Sequence, residues 1–143
     1  MSKQYDAAAL AGRILMGVLF FMSGLSKIGA PAATIGYIAH VGLPLPVGAY
    51  ALSTTVELVG GALLMAGFQA RLVASVVAVF TLATALFFHN NFADQDQMIH
   101  FMKNIAIIGG LLQLVAFGAG RLSVDGLRAR RSTPAEAALQ PAA

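Results

Sequence analysis

Residues 46–68 read PVGAYALSTTVELVGGALLMAGF, an apolar and small-residue run interrupted by one charge, Glu57. Crossing the hydrocarbon core of a bilayer as a helix takes about 20 largely apolar residues at about 1.5 Å rise each, and Pro46–Phe68 meets that length. Backbone polar groups have no water to bond in hydrocarbon, so such a run must close its hydrogen bonds within itself as a helix. Outward from it, three further stretches qualify: Ala7–Ile28, Leu72–Phe88 and Met98–Phe117. The third span is the shortest, and its ends are expected to include Ala70 and His89. The fold expected is an all-α membrane protein, a four-transmembrane-helix antiparallel bundle. It forms one transmembrane domain over residues 1–131.

Composition agrees with this reading and excludes several functions. The 143 residues are 58% hydrophobic and 10% charged, far from soluble-domain usage. The net charge is +3, but the basic residues gather at chain ends and turns instead of lining a surface that could follow a phosphate backbone, so no nucleic acid is expected. Cysteine is absent, which removes disulfides, thiolate nucleophiles, iron–sulfur ligation and thiolate zinc sites. The apolar run after Lys3 is not a secretory signal. Arg13 abuts it, Lys27 stands where a cleavage region is small and uncharged, and three more spans follow.

Four spans place both termini on one side. Lys3, Arg71, Arg121, Arg128, Arg130 and Arg131 belong to that side, whereas the other has Lys27 and Lys103 offset by Asp94 and Asp96. Cytoplasmic loops hold the Lys/Arg excess, so both termini are expected in the cytoplasm. The turn Gly67–Arg71 is tight and makes its two spans antiparallel neighbours. Between the first two spans, Ile35, Tyr37 and Ile38 lie at helical spacing ahead of Gly42-Leu43-Pro44, which predicts a short interfacial helix. The polar segment Asn90–Gln97 is expected to loop out. The Ala/Pro-rich stretch 132–143 has too little apolar pattern to fold and is expected to be a disordered tail.

Function must reside in the few polar residues inside the spans, because an ionisable group near the bilayer centre costs on the order of 3 kcal/mol without a partner or a wet cavity. Arg13, Gly17, Phe20, Gly24 and Lys27 share one helical stripe, whose glycines admit a close neighbour. Glu57 is the one charge in its span, on a face with Tyr50, Ser53, Thr54, Gly60 and Gly61. His89 closes the third span, and His100, Lys103 and Asn104 lie about one turn apart in the fourth. By depth, either Arg13 or Lys103 can reach Glu57 with a long side chain. Lys27, His89, His100, Lys103 and Asn104 form a second, donor-rich group, and the pocket is placed between it and Glu57. Arg13 and Lys27 also fit a plain anchoring role at the two membrane surfaces, and Glu57 a purely structural ion pair. His40 fits an interfacial position. No metal or haem is expected, since His89, His100, Asp94 and Asp96 match no ligand spacing and the six methionines are scattered.

Taken in order, Arg13, Gly17, Gly24-Leu25-Ser26-Lys27, Gly42-Leu43-Pro44, Glu57-Leu58-Val59-Gly60-Gly61, Gly67 with Arg71, His89 and Lys103-Asn104 make the chain resemble the DoxX family of bacterial membrane proteins. The likeness runs from about Leu10 to Asp125. It implies an inner-membrane protein tied to redox physiology, some relatives being membrane subunits of quinone-reducing thiosulfate oxidoreductases and others belonging to complexes that handle thiols and oxidative stress. Without cysteine, sulfur chemistry does not carry over to this chain's own side chains.

Three functions follow. The first is a quinone-interacting membrane subunit, with Lys103, His89 and Asn104 as donors, Glu57 as proton carrier, Arg13, Lys27 and His100 as further ligand contacts, and electrons from a redox-enzyme partner. The second is a non-catalytic membrane anchor or assembly factor recruiting such an enzyme through the basic tail. The third is a small-molecule carrier, for which four short helices would need a homo-oligomer.

Overall fold

A computed structural model describes residues 3–137. Its elements are α1 (Lys3–Gly29), α2 (Pro31–His40), α3 (Pro46–Ala66), α4 (Ala70–Phe88), α5 (Gln95–Phe117) and α6 (Val124–Ala137). Four of them, α1, α3, α4 and α5, are long and apolar enough to cross a membrane. The short helix expected between the first two spans is α2, begun by Pro31 in its first turn.

The expected boundaries shift where capping chemistry decides them. α3 stops at Ala66 and not at Phe68, because Gly67 adopts φ 67° and its N–H turns back to the carbonyls of Leu63 and Leu64. α5 begins at Gln95, inside the segment expected to loop out, because the Asp94 carboxylate accepts from the amides of Asp96 and Gln97. α6 was not anticipated. It carries helix through the arginines and on to Ala137, over the first part of the stretch read as a disordered tail; residues 138–143 lie outside the described residues.

Packing begins with α1 against α3, the most extensive helix pair, followed by α4 against α5. The glycine stripe on α1 is the reason for the first. A Cβ on Gly17 would stand 2.7 Å from the Gly61 carbonyl oxygen, and one on Gly61 would stand 2.7 Å from that of Gly17. Van der Waals contact between backbones replaces hydrophobic drive as the source of association in lipid, and only small residues permit it. Phe20, Leu64, Ala74, Val77, Ala78 and Leu111 form the core where the helices meet. α1 and α5 touch only briefly.

At the end that carries the termini, Arg13 is 1% exposed and holds three segments together. One of its terminal nitrogens donates to Leu64 O (3.0 Å) and Met65 O, the other to Leu122 O at 2.7 Å. These are last-turn carbonyls of α3, of which Leu64 O is otherwise met only by the capping Gly67 amide, and a carbonyl in the link to α6. Asp125 completes the junction by accepting from the amides of Gln69 (2.8 Å) and Ala70 (2.9 Å), the first donors of α4. Arg13 is therefore neither an anchor at the membrane surface nor a partner of Glu57. Arg13→Ala is expected to lower stability by about 3 kcal/mol, because charge-assisted bonds are lost and buried carbonyls are left open. Arg13→Lys should restore only part of this, since an ammonium lacks the planar fork. Unfolding by denaturing detergent in bicelles measures both.

Candidate functional site

Glu57 stands midway along α3 and is 6% exposed. Its partner is Lys27. The ammonium lies 2.7 Å from Oε1 and 2.6 Å from Oε2, and it also donates to Ser23 Oγ at 3.2 Å. Ser23 in turn donates to Glu57 Oε1 at 3.1 Å. Lys27 and Glu57 thus form a salt bridge inside the spanning part of the bundle.

Depth alone had pointed to Arg13 or Lys103 as the partner of Glu57, and side-chain direction overturns that. Every Cα–Cβ bond in a helix tilts toward the helix N-terminus. Lys27 lies in the last turn of α1, so its side chain leans back into the bundle, toward the level of Ser23 and Glu57. Arg13 belongs to the first half of α1, so the same tilt carries it away from Glu57, to the carbonyls at the terminal end. Lys103 lies in the first half of α5 and leans toward the opposite surface, exposed beside Met98, Ile99, Met102 and Ala106 on the outer face of the bundle.

Beside the ion pair is a cavity of about 300 Å³, within the range of small-molecule sites. Its walls are mainly apolar: Tyr37 and Ile38 from α2, Leu52 from α3, and Phe80, Phe87 and Phe88 from α4. Lys27, Glu57 and His89 supply the charged and titratable groups of the lining. The rings of Tyr37 and Phe88 stack at 5.6 Å and clip α2 over the site. Leu52, Phe87 and Tyr37 are exposed on the outside of the bundle, which is the lipid side for a spanning helix, so the cavity borders the bilayer.

His89 ends α4 and its Nδ1 lies 2.9 Å from Gln97 Oε1. With that oxygen as acceptor, Nδ1 carries the proton of the neutral ring and Nε2 keeps a free lone pair. His100 stacks on His89 at 5.0 Å but is exposed, and it does not line the cavity. Asn104 faces the other side of the ion pair, in a second cavity shared with Lys27, Glu57 and His89. Of the residues singled out from the sequence, Glu57, Lys27, His89 and Asn104 therefore converge, His100 lies at the rim, and Arg13 and Lys103 stand apart. Ser23 was missed. It lies four residues before Lys27, one turn back on the same face, and that spacing was the available signal. Among the described residues no three metal-ligating side chains converge.

Removing one member of a buried ion pair strands the other charge, which costs about 3–5 kcal/mol. Glu57→Leu alone is thus expected to destabilise more than the double change Glu57→Leu with Lys27→Met, which removes both charges at similar volume. Denaturation of the two variants in lipid nanodiscs distinguishes the cases; equal losses would mean that the two charges do not interact.

Comparison with known proteins agrees with this architecture. The DoxX family model matches residues 8–90, covering α1 through α4 and the positions of Lys27, Glu57 and His89. The chain is similar to the inner membrane protein YqjF of Escherichia coli, 41% identical over 89% of this chain and 96% of that one. A second inner membrane protein of that organism, YphA, is 31% identical over 81% of this chain and 86% of its own. CatD of Bacillus subtilis, provisionally named an oxidoreductase, is 34% identical over 55% of this chain and 58% of its own. No solved structure matches. With four spanning helices, a match over more than half its length and close relatives in the inner membrane, the chain belongs to the DoxX family of integral membrane proteins.

Proposed function

We propose that this protein is a quinone-interacting membrane subunit of a redox system, and that the cavity beside Lys27 and Glu57 receives the quinone head group. The observation that carries this reading is a bilayer-bordering aromatic cavity with a carboxylate, an ammonium and an imidazole in its wall. A quinone is lipid-soluble, flat and apolar except for two carbonyl oxygens, and such a wall suits it.

The roles follow from hydrogen-bonding capacity. Lys27 has three N–H groups, committed to the two carboxylate oxygens and to Ser23. The 3.2 Å bond to Ser23 is the longest and the easiest to exchange for a quinone carbonyl. Glu57 Oε2 accepts from Lys27 alone and keeps lone pairs for a quinol hydroxyl, as does His89 Nε2. Reduction of a quinone takes up two electrons and two protons, one proton on each oxygen; Lys27 and Glu57 are the proton-exchanging groups. The electrons come from a redox partner protein, and the provisional naming of CatD as an oxidoreductase supports such a setting.

Lys27→Met is expected to weaken quinone binding roughly 10- to 100-fold, the equivalent of one charge-assisted hydrogen bond. Ala83→Phe, which fills the cavity without touching the ion pair, should abolish it. Lys103→Ala should leave it intact. Mass spectrometry of quinone retained after extraction in native lipid reads all three, and absence of saturable quinone binding in the wild type would overturn the proposal.

A second reading, an anchor that recruits the redox enzyme, is favoured by α6, which exposes Arg130 and Arg131 with Leu127 beyond the spanning helices. Loss of partner recruitment in Arg130→Gln with Arg131→Gln, which leaves Leu122 and Asp125 in place, with quinone binding retained, would add that role. We also assign both termini to the cytoplasm from the Lys/Arg excess at their end. A C-terminal alkaline phosphatase fusion, active only outside the cytoplasm, is expected to be inactive.

A further inference from the structure

The second cavity, of about 260 Å³, lies between α1, α4 and α5 and shares Lys27, Glu57, Phe80, Thr84 and His89 with the first. Its character is different. Seven of its eleven lining residues are polar or charged, because Ser23, Thr81 and Asn104 join the shared groups. In the first cavity the balance is the reverse.

Asn104 is the informative member. Its amide is half-buried, faces this space from α5, and makes no side-chain hydrogen bond among the described residues. An amide unpaired at membrane depth costs several kcal/mol, and water in the cavity removes that cost. A site holds a water when it has room of about 10–15 Å³ and two to four polar partners, so this one has space and partners for several. Thr81 and Thr84 bond their own helix through their hydroxyl hydrogens, to Val77 O and Phe80 O, which leaves both oxygens free to accept from water.

The polar groups also form a path. His100 is exposed at the end of the bundle away from the termini and stacks on His89. Asn104 is one helical turn deeper than His100 on α5. Ser23, on the opposite wall, donates to Glu57. The titratable groups lining this cavity are Lys27 from α1, Glu57 from α3 and His89 from the end of α4; His100 from α5 stacks on His89 and is exposed, as are Asp94 and Asp96 at the start of α5. Lys103 faces away.

We propose that the second cavity is a water-filled vestibule through which the Lys27–Glu57 pair exchanges protons with the aqueous phase at the end opposite the termini. The two cavities then divide the work: the aromatic one admits a lipid-soluble ligand from the bilayer, and the polar one connects the same ion pair to water. Each proton that the Lys27 ammonium gives to a ligand oxygen is replaced by one from bulk water, and the Glu57 carboxylate takes a proton from the same water before it can give one. The purpose of the protons rests on the quinone reading; the hydration of the vestibule does not.

The chain has no cysteine, so a single introduced thiol reports on its own surroundings. Thiolates, the reactive form, exist only where there is water. In proteoliposomes, Asn104→Cys is expected to react with a membrane-impermeant cationic methanethiosulfonate roughly tenfold or more faster than Ala106→Cys, on the lipid-facing side of the same helix. It should do so only when the reagent is applied opposite the termini. Ile107→Cys, from the same cavity wall, gives an independent reading if Asn104→Cys fails to assemble. Labelling no faster than at Ala106→Cys, or labelling from the terminal side, overturns the proposal. Labelling as expected without any quinone binding would retire the quinone reading and leave the vestibule standing.

Discussion

A carboxylate halfway through a spanning helix must be neutralised by a group that can reach it, and most of this architecture follows from that constraint at Glu57. Lys27 is the group. For its ammonium to lie between both carboxylate oxygens, α1 and α3 must run antiparallel in close contact, and the approach of Gly17 to Gly61 brings them there. α2 then folds back over α3, held by Tyr37 on Phe88, and closes an aromatic cavity against the pair. The opposite face of the pair borders a polar cavity because α1 and α5 diverge. One ion pair thus lies between two cavities, the first walled almost wholly by apolar surface and the second with a larger polar share.

The two ends of the bundle use their charges differently. At the terminal end, the Arg13 guanidinium is spent on backbone carbonyls, and Asp125 on backbone amides. Both join helix ends that would otherwise leave polar groups open, and Asp125 also lines an open surface cavity beside Arg71. Toward the other end, Lys27 and Glu57 point their polar atoms at each other and, with His89, line the two cavities. Arg13, at 1% exposure the most buried charge among the described residues, is held entirely by backbone carbonyls.

The span count, the glycine stripe, the helix over residues 31–40 and the family were all legible in the sequence, because hydrophobic length and helical period are local properties. The pairing of Glu57 was legible too, though not from depth. Depth offered two cations, Arg13 and Lys103, but the tilt of side chains toward a helix N-terminus turns both outward from the first halves of their helices and turns Lys27 inward from the end of α1. The face that Lys103 presents was not legible, since His100, Lys103 and Asn104 span enough of the helix circumference for the packing of α4 on α5 to decide which of them turn inward. Nor was α6, whose residues Val124–Ala137 carry no strong apolar pattern; Ser123 caps its first turn and Asp125 ties it to the start of α4.

The Lys27–Glu57 contact is the claim on which the site, the cavities and their division of roles all stand. Solid-state NMR in native lipid, with ¹⁵N on lysine side chains and ¹³C on glutamate carboxyls, measures it directly through dipolar coupling. The account predicts strong coupling between Lys27 Nζ and the Glu57 carboxyl, as a nitrogen 2.6 Å from Oε2 requires, and its loss in Lys27→Met. Coupling of Glu57 to Lys103 instead, or to no lysine, would contradict it.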